Sequence, residues 1–323
     1  MSKLTFLHNY QLTNIKNMLT FDKIKLVSPI FHVLNFQPEK FTKTEQDGRV
    51  LYYKYKQEKP YNLQIRIDYN LSEVVLEFTG KILQEDYYKL ISKDTFYQCL
   101  VNINNLGLCT LDVAAICKDT EVVQCDVTKD IIGDIDKIQT TIKTNISNYN
   151  RWIVKQYSNG IVIENIASTS RHKKRVVIYD KYKELLMANN RDLLDVIDVE
   201  KFKDTIRFEL NVKSKEQIRK LFNIDNNNIN SVLYSSENPI FSVIDQALIN
   251  FSYEQYYPKS VRDFERTLLL KSCENDLAKV EAIVRSLSGK NVSIKRQMQP
   301  YKDILNALPN SGNCGIDIRA LVM

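Results

Sequence analysis

Two tyrosines, Tyr179 and Tyr182, sit directly behind the densest run of cations in the chain. Arg171, Lys173, Lys174 and Arg175 precede them, and Lys181 and Lys183 are interleaved with them. A free phenol has a pKa of about 10 and is a weak nucleophile at neutral pH. Neighbouring cations favour phenolate and neutralise the charge that builds on a phosphate under attack. The chemistry this run suggests is transfer of a phosphodiester to a tyrosine oxygen. An ordinary basic strand running into a helix has the same composition, so the elements that position these residues must decide.

Period-two alternation, the mark of a strand with unlike faces, is clearest in Thr205–Val212. There Ile206, Phe208, Leu210 and Val212 oppose Thr205, Arg207, Glu209 and Asn211. In Glu121–Thr128, Gln124, Asp126 and Thr128 oppose Val123, Cys125 and Val127; in Val74–Thr79, Glu77 and Thr79 oppose apolar residues. In Arg175–Tyr179, Val176 and Ile178 oppose Arg175 and Tyr179. Two hairpins are predicted, Val50–Lys56 with Tyr61–Tyr69, and Arg151–Tyr157 with Ile161–Ile166 turned by Asn159-Gly160. Helices are predicted near 81–92, 94–106, 133–147, just after Tyr179, and at 239–250, 260–287 and 298–307. Residues 1–45 read as mixed, and the Asn-rich run Asn223–Ser231 reads as a linker. The layout is α+β: an antiparallel sheet with helices on one face and an open polar face on the other. It makes up a domain at 1–225, followed by a helical region at 235–323.

That polar face would carry Glu77, Asp126 and Glu209 on three separate strands. Such a donor set suits a divalent cation, since Mg2+ favours carboxylate oxygens and keeps several waters. Any antiparallel sheet with one solvated face shows a similar pattern.

Composition narrows the classes. The 323 residues hold 45 basic and 39 acidic side chains, net +6, compatible with a polyanionic partner without demanding one. The six cysteines include no CxxC, and no run approaches the ~20 apolar residues of a membrane span. A soluble, reduced, cytoplasmic protein is expected, with no membrane partner. His8, His32 and His172 form no His-x-His pair, which argues against a histidine-held metal. Gly289-Lys290 lacks the upstream glycine of a phosphate loop. His172-Lys-Lys-Arg175 fits the His-x-x-Arg of tyrosine recombinases, but those proteins place their tyrosine far downstream on a separate helix.

Four segments in order resemble the filamentous-phage-type (gene-two-like) rolling-circle replication initiators, as found on small Bacteroidetes plasmids and phages. They are Val75-Leu-Glu-Phe-Thr-Gly-Lys-Ile-Leu-Gln84, Gln124-Cys-Asp-Val-Thr128, Ser170 to Leu185, and Ile206-Arg-Phe-Glu-Leu210. The resemblance spans most of residues 50–215. It implies a divergent form of the histidine-metal nickase fold, with carboxylates replacing the histidine pair. It also implies an enzyme that nicks and rejoins one strand of origin DNA through a 5′-phosphotyrosine, with Mg2+ or Mn2+. On this match the nucleophile falls on Tyr179 and the metal ligands on Glu77, Asp126 and Glu209, the Glu77 match requiring a gap. Arg171, Lys173, Lys174, Arg175 and Lys183 become phosphate contacts. Lys181 holds flanking backbone, and Arg207 orients Glu209 or touches phosphate. Tyr182, which departs from the filamentous-phage pattern, is either a second nucleophile or a packing residue. The expected partners are origin DNA and a host helicase and polymerase, the protein acting as monomer or homodimer. A mobilisation relaxase of the same chemistry and a non-enzymatic origin-binding initiator or repressor remain alternatives.

Overall fold

The computed structural model describes residues 19–146, 152–166, 173–248, 256–289, 293–308 and 316–323. In chain order its strands are β1 (Thr20–Pro29), β2 (Val33–Phe36), β3 (Thr42–Gln46), β4 (Arg49–Gln57), β5 (Leu63–Asp68), β6 (Glu73–Thr79), β7 (Cys109–Leu111), β8 (Glu121–Ile132), β9 (Trp152–Tyr157), β10 (Gly160–Asn165), β11 (Arg175–Asp180) and β12 (Thr205–Val212). Ten of them form one antiparallel sheet in the order β3-β4-β5-β6-β1-β8-β12-β11-β10-β9, while β2 and β7 pair separately. The α+β reading and the antiparallel sheet are both borne out.

The alternation in β12 is realised as expected. Ile206, Phe208, Leu210 and Val212 are buried on the helical side, together with Val176 and Ile178 of β11 and Cys125 and Val127 of β8. The helix Pro239–Ala247 packs across β8, β11 and β12, and the helices Lys215–Phe222, Ile229–Leu233 and Ile318–Val322 lie against β8. Residues beyond 235 therefore divide between two cores. Ile240, Val243, Ile244, Ile318 and Val322 join the core under the sheet. Val261–Ser272, Leu277–Leu287 and Ile294–Ala307 build their own around Leu270, Val280, Met298 and Leu305. The stretch predicted as one helix over 260–287 is two, separated at Glu274 and Asn275, which both have positive φ.

The Asn-rich run is not a linker. Asn227 is buried, accepting from Arg219 Nη1 and donating to the Lys215 carbonyl, while its own carbonyl accepts from the Val122 amide. Asn228 caps the helix Ile229–Leu233 through Oδ1 and donates to the Lys118 carbonyl. The run is polar because it spends its amides on backbone groups.

The larger departure is β1, which occupies the centre of the sheet in a region read as mixed. Its register against β8 runs Phe21↔Val127 and then Lys23↔Asp126, leaving Asp22 as an extra residue in a β-bulge. The bulge breaks the period of two: Phe21, Ile24 and Leu26 are all fully buried, though 21 and 24 are three apart. Asp22 is thereby turned onto the polar face.

That face is not wholly open. The segment Gly80–Lys89, a 3-10 stretch kinked at Gln84, joins the helix Lys181–Leu185 and the turn Val199–Phe202 in a small third core of Tyr87, Leu90, Leu185, Leu193, Ile197 and Phe202. This cap covers one end of the face. On the opposite side of the sheet the packing is tight, so Phe208→Ala should cost about 3–5 kcal/mol, measured by denaturant unfolding.

Candidate active site

Cross-strand register places the polar side chains in rows, because residues paired in antiparallel strands share a face. One row is Thr79–Lys23–Asp126–Asn211, continuing through Arg175 to Glu164. The next holds Thr128, Glu209 and Val177. The third holds Asp130, Arg207, Tyr179 and Gly160. Tyr179, Glu209 and Asp126 thus converge across β11, β12 and β8.

The Tyr179 hydroxyl donates to Glu209 Oε2 at 3.1 Å. The other oxygen, Glu209 Oε1, accepts from Asn211 Nδ2 at 3.3 Å, and the same nitrogen donates to Asp126 Oδ1 at 3.0 Å. One amide nitrogen therefore lies between two carboxylates, with its orientation fixed by Arg175 Nη1, which donates to Asn211 Oδ1 at 3.1 Å.

Burial, with Asp22 and then Asp126 nearby, pushes the Glu209 carboxyl up to about 7. Burial also raises Asp126, with Asp22 adding to the shift. The Tyr179 phenol is pushed well above its ordinary value, chiefly by burial and then by the Glu209 carboxylate. The expectation of a cation-stabilised phenolate is therefore reversed. In the resting protein the phenol keeps its proton and shares it with a carboxylate.

Arg207 is not a phosphate contact. Its side chain is 0% exposed, and each nitrogen of its guanidinium has a partner. Nε and Nη2 each donate to Asp130 at 2.7 Å, and Nη1 donates to Asp22 Oδ1 at 2.6 Å and to the Tyr87 hydroxyl at 3.0 Å. Tyr87 in turn donates to Asp22 Oδ1 at 2.6 Å. Burial opposes ionisation of Asp22, but Arg207, Lys181 and the Tyr87 hydroxyl outweigh it and hold the carboxyl below its usual range.

Lys181 is buried at 2% exposure, paired with Glu184 at 2.7 Å, its ammonium 5.2 Å from the Tyr87 ring and 5.8 Å from the Tyr179 ring. It does not reach out to hold flanking backbone. Burial, then Arg207, lower its pKa.

Glu77 stands apart. It is paired with both Lys23 and Lys25 on β1, and its register partner is Lys25, one row beyond Asp126 and two strands away. No group of three or more His, Cys, Asp or Glu side chains among the described residues is arranged to hold a metal ion. The acid that approaches Asp126 and Glu209 in place of Glu77 is Asp22.

The basic run does not act as a unit either. Arg171 lies outside the described residues. Lys173 pairs with Glu164 at 2.8 Å, whereas Lys174 donates to Gln246 of Pro239–Ala247, on the helical side of the sheet. Lys183 pairs with Asp180 at 3.1 Å. Alternation sends neighbouring cations to opposite faces. The Tyr182 hydroxyl donates to Glu200 Oε1 at 2.9 Å, and not to a member of the Tyr179 cluster.

Asp22, Asp130 and Tyr87 escape the sequence reading. Asp130 lies just past the predicted end of its strand, whereas Asp22 and Tyr87 carry no local signal. Gly160, read as half of a turn, is instead the first residue of β10, paired with Tyr157 across a turn of Ser158 and Asn159. A Cβ there would lie 2.2 Å from the Ile178 carbonyl oxygen and 2.7 Å from Tyr179 Cβ. Only glycine lets β10 approach the strand that carries Tyr179.

No protein-family model matches the chain, and no curated protein matches it in sequence. Among solved structures it is similar to one described as "Structure of Rolling Circle Replication Initiator Protein from Geobacillus stearothermophilus". The match covers 75% of this chain and 89% of that one, at 12% identity and a TM-score of 0.39. At that score the chemistry around Tyr179 has to be read from this chain's own residues. Among the described residues no helix is long and apolar enough to cross a membrane.

Two substitutions test the site's construction. Arg207→Leu, which strands Asp22 and Asp130 without their cation, should lower the unfolding free energy by about 3–5 kcal/mol. Gly160→Ala should force Tyr179 from its place, seen as a lowered melting temperature and a changed tyrosine environment in near-ultraviolet circular dichroism.

Proposed function

We propose that the protein is a DNA strand-transfer enzyme that nicks and rejoins a single strand through Tyr179, in the manner of a rolling-circle replication initiator. The observation that carries this is the Tyr179 hydroxyl 3.1 Å from Glu209 Oε2, on a half-buried polar face that also holds Asp126 and the Lys181 ammonium. A phenol kept protonated at rest needs a base at the moment of attack, and Glu209 is in hydrogen-bond reach to serve as one.

In this mechanism Tyr179 Oη attacks the phosphorus and gives its proton to Glu209 Oε2. The bond from phosphorus to the 3′ oxygen breaks, and that oxygen takes up a proton from solvent. The products are a 5′-phosphotyrosine and a free 3′-hydroxyl. Rejoining is the reverse attack by a 3′-hydroxyl, which releases Tyr179. The covalent link conserves the ester energy, so the cycle needs no nucleotide hydrolysis. Lys181 faces the tyrosine ring and offsets negative charge as it gathers on the phosphate. Arg207 is a positioning residue, holding β12 so that Glu209 faces Tyr179.

The donor set fits a divalent cation of the Mg2+ or Mn2+ type. Asp126 Oδ1 and Glu209 Oε1 already share one donor nitrogen, and both carboxyls are raised by burial and then by the nearby Asp22 carboxylate. Mg2+ is commonly held by one or two carboxylates, with water and phosphate oxygens completing its shell. Asp126 and Glu209 would hold it, and it would supply charge neutralisation at the phosphate. Glu77, occupied by two lysines, is left out of this set. The partner in this reading is origin DNA, acted on in a soluble compartment.

The test uses labelled single-stranded DNA tiled across the protein's own gene and its flanks, with Mg2+ or Mn2+, on a denaturing gel. A covalent protein–DNA band is expected, and Tyr179→Phe should abolish it while binding persists. Asp126→Asn, or EDTA with the native chain, should reduce it by about 10²-fold or more, the scale of removing an electrostatic stabiliser. A full-strength band from Tyr179→Phe that disappears with Tyr182→Phe would move the nucleophile to Tyr182. Footprinting with no adduct under any condition would favour a non-enzymatic binder.

A further inference from the structure

Beside the Tyr179 cluster a cleft of about 470 Å3 opens between the turn joining β4 to β5 and the 3-10 segment Ala188–Leu193 of the cap. Three lysines line it, Lys56, Lys59 and Lys81, together with the amides of Asn62 and Asn190. Apart from Pro60 and Leu193 the lining is charged or amide-bearing, unlike the mainly apolar wall of a small-molecule pocket.

The cleft connects physically to the tyrosine. Asn190 Nδ2 donates to Glu184 Oε1 at 2.9 Å, Glu184 Oε2 accepts from Lys181 at 2.7 Å, and Lys181 faces the Tyr179 ring. Lys81 opens the 3-10 segment Gly80–Lys89 that carries Tyr87, and it makes no ion pair among the described residues. Its charge is felt on both Asp22 and Glu184, which places it between the cleft and the site.

Lys56 and Lys59 are paired only with exposed carboxylates, Glu58 at 2.5 Å and Asp192 at 3.2 Å. Exposed pairs of this kind are weak and screened by salt. A phosphodiester can displace them without stranding a buried charge. Two acids against three lysines leave the cleft with excess positive charge.

We propose that this cleft binds the sugar-phosphate backbone of single-stranded DNA, with Lys81 as the phosphate contact nearest Tyr179 and Lys56 and Lys59 continuing the track outward. The identity of the polyanion rests on the reading of Tyr179 as a DNA nucleophile. A single strand fits better than a duplex, since the cleft is bounded on both sides, by the turn and by the cap. Asn62 offers an amide hydrogen bond that a phosphate or a base edge can take, whereas Asn190 spends both N–H groups of its amide on Glu184 and ties the cleft wall to the site.

The test separates the two readings by working in a Tyr179→Phe full-length chain, so that chemistry does not enter. A fluorescein-labelled oligothymidine of about 20 nucleotides, longer than the ~4–16 that a single-strand-binding fold covers, is titrated by anisotropy across a salt series. On single strands, every phosphate that a lysine ceases to neutralise takes about 0.7 off the slope of log affinity against log salt. The triple variant Lys56→Gln, Lys59→Gln, Lys81→Gln should therefore bind with a slope about 2 shallower. The corresponding triple arginine variant should restore the slope, and both should keep the parental melting temperature. An unchanged slope overturns the proposal. So does an equal drop from Lys279→Gln, Lys295→Gln, Lys302→Gln on the separate helical core, which would make the effect one of diffuse charge. The covalent band of the otherwise native chain is scored in parallel. A band with an unchanged slope sinks the cleft and keeps the nucleophile, whereas a shallower slope with no band keeps the cleft and sinks the nucleophile.

Discussion

The arrangement around Tyr179 depends on one buried cation. Arg207 carries its guanidinium out of reach of solvent and is matched there by Asp130 on β8, Asp22 on β1 and the Tyr87 hydroxyl of the cap. A buried charge is tolerable only when its partners and hydrogen bonds are complete. That requirement locks three adjacent strands and the 3-10 segment Gly80–Lys89 into one geometry. The ring of Phe202, 5.9 Å from the guanidinium, and that of Tyr87, at 5.4 Å, roof it with aromatic faces. Glu209 is two residues along the same strand, so its direction toward Tyr179 follows from where Arg207 is held.

The electrostatic balance of the site follows from the same ion cluster. Arg207 and Lys181 are two buried cations set against Asp22, Asp130 and Glu184. Among the described residues no cation pairs with Asp126 or Glu209, and burial raises both carboxyls. The face is thereby graded. Its cap end is saturated with partners, and its middle retains carboxylate oxygens and a phenol whose hydrogen bonds are neutral or single. The demand left unmet at these carboxylates is for positive charge.

What is legible in the sequence follows from which interactions are local. The limits of β12, the pairing of β9 with β10 and the sidedness of β11 all reflect alternation or turn chemistry, and the structure has them as the pattern predicts, save that the turn falls one residue earlier, at Ser158 and Asn159. The placement of Tyr179 with Glu209 and Asp126 follows from the same alternation, once adjacent strands share a face. What escapes is non-local. β1 hides because its bulge disrupts the period that would reveal it. Tyr87 reaches the site from a kinked 3-10 segment with no regular repeat. Glu77 has the right residue type on the right face, but the lysines that claim it belong to a strand the pattern conceals. The basic run misleads for the opposite reason, since adjacency in sequence is separation across a sheet.

The bulge at Asp22 also constrains how the chain can vary. Deleting Asp22 would restore a regular ladder and take away the carboxylate that Arg207 Nη1 meets. An insertion there would shift Ile24 and Leu26 onto the polar face. The central strand therefore tolerates exchange of side chains but not a change of length. Relatives that keep the Arg207 cluster should keep the spacing from this acid to the following apolar pair, whatever else drifts. That spacing can serve to trace descent where overall identity has faded.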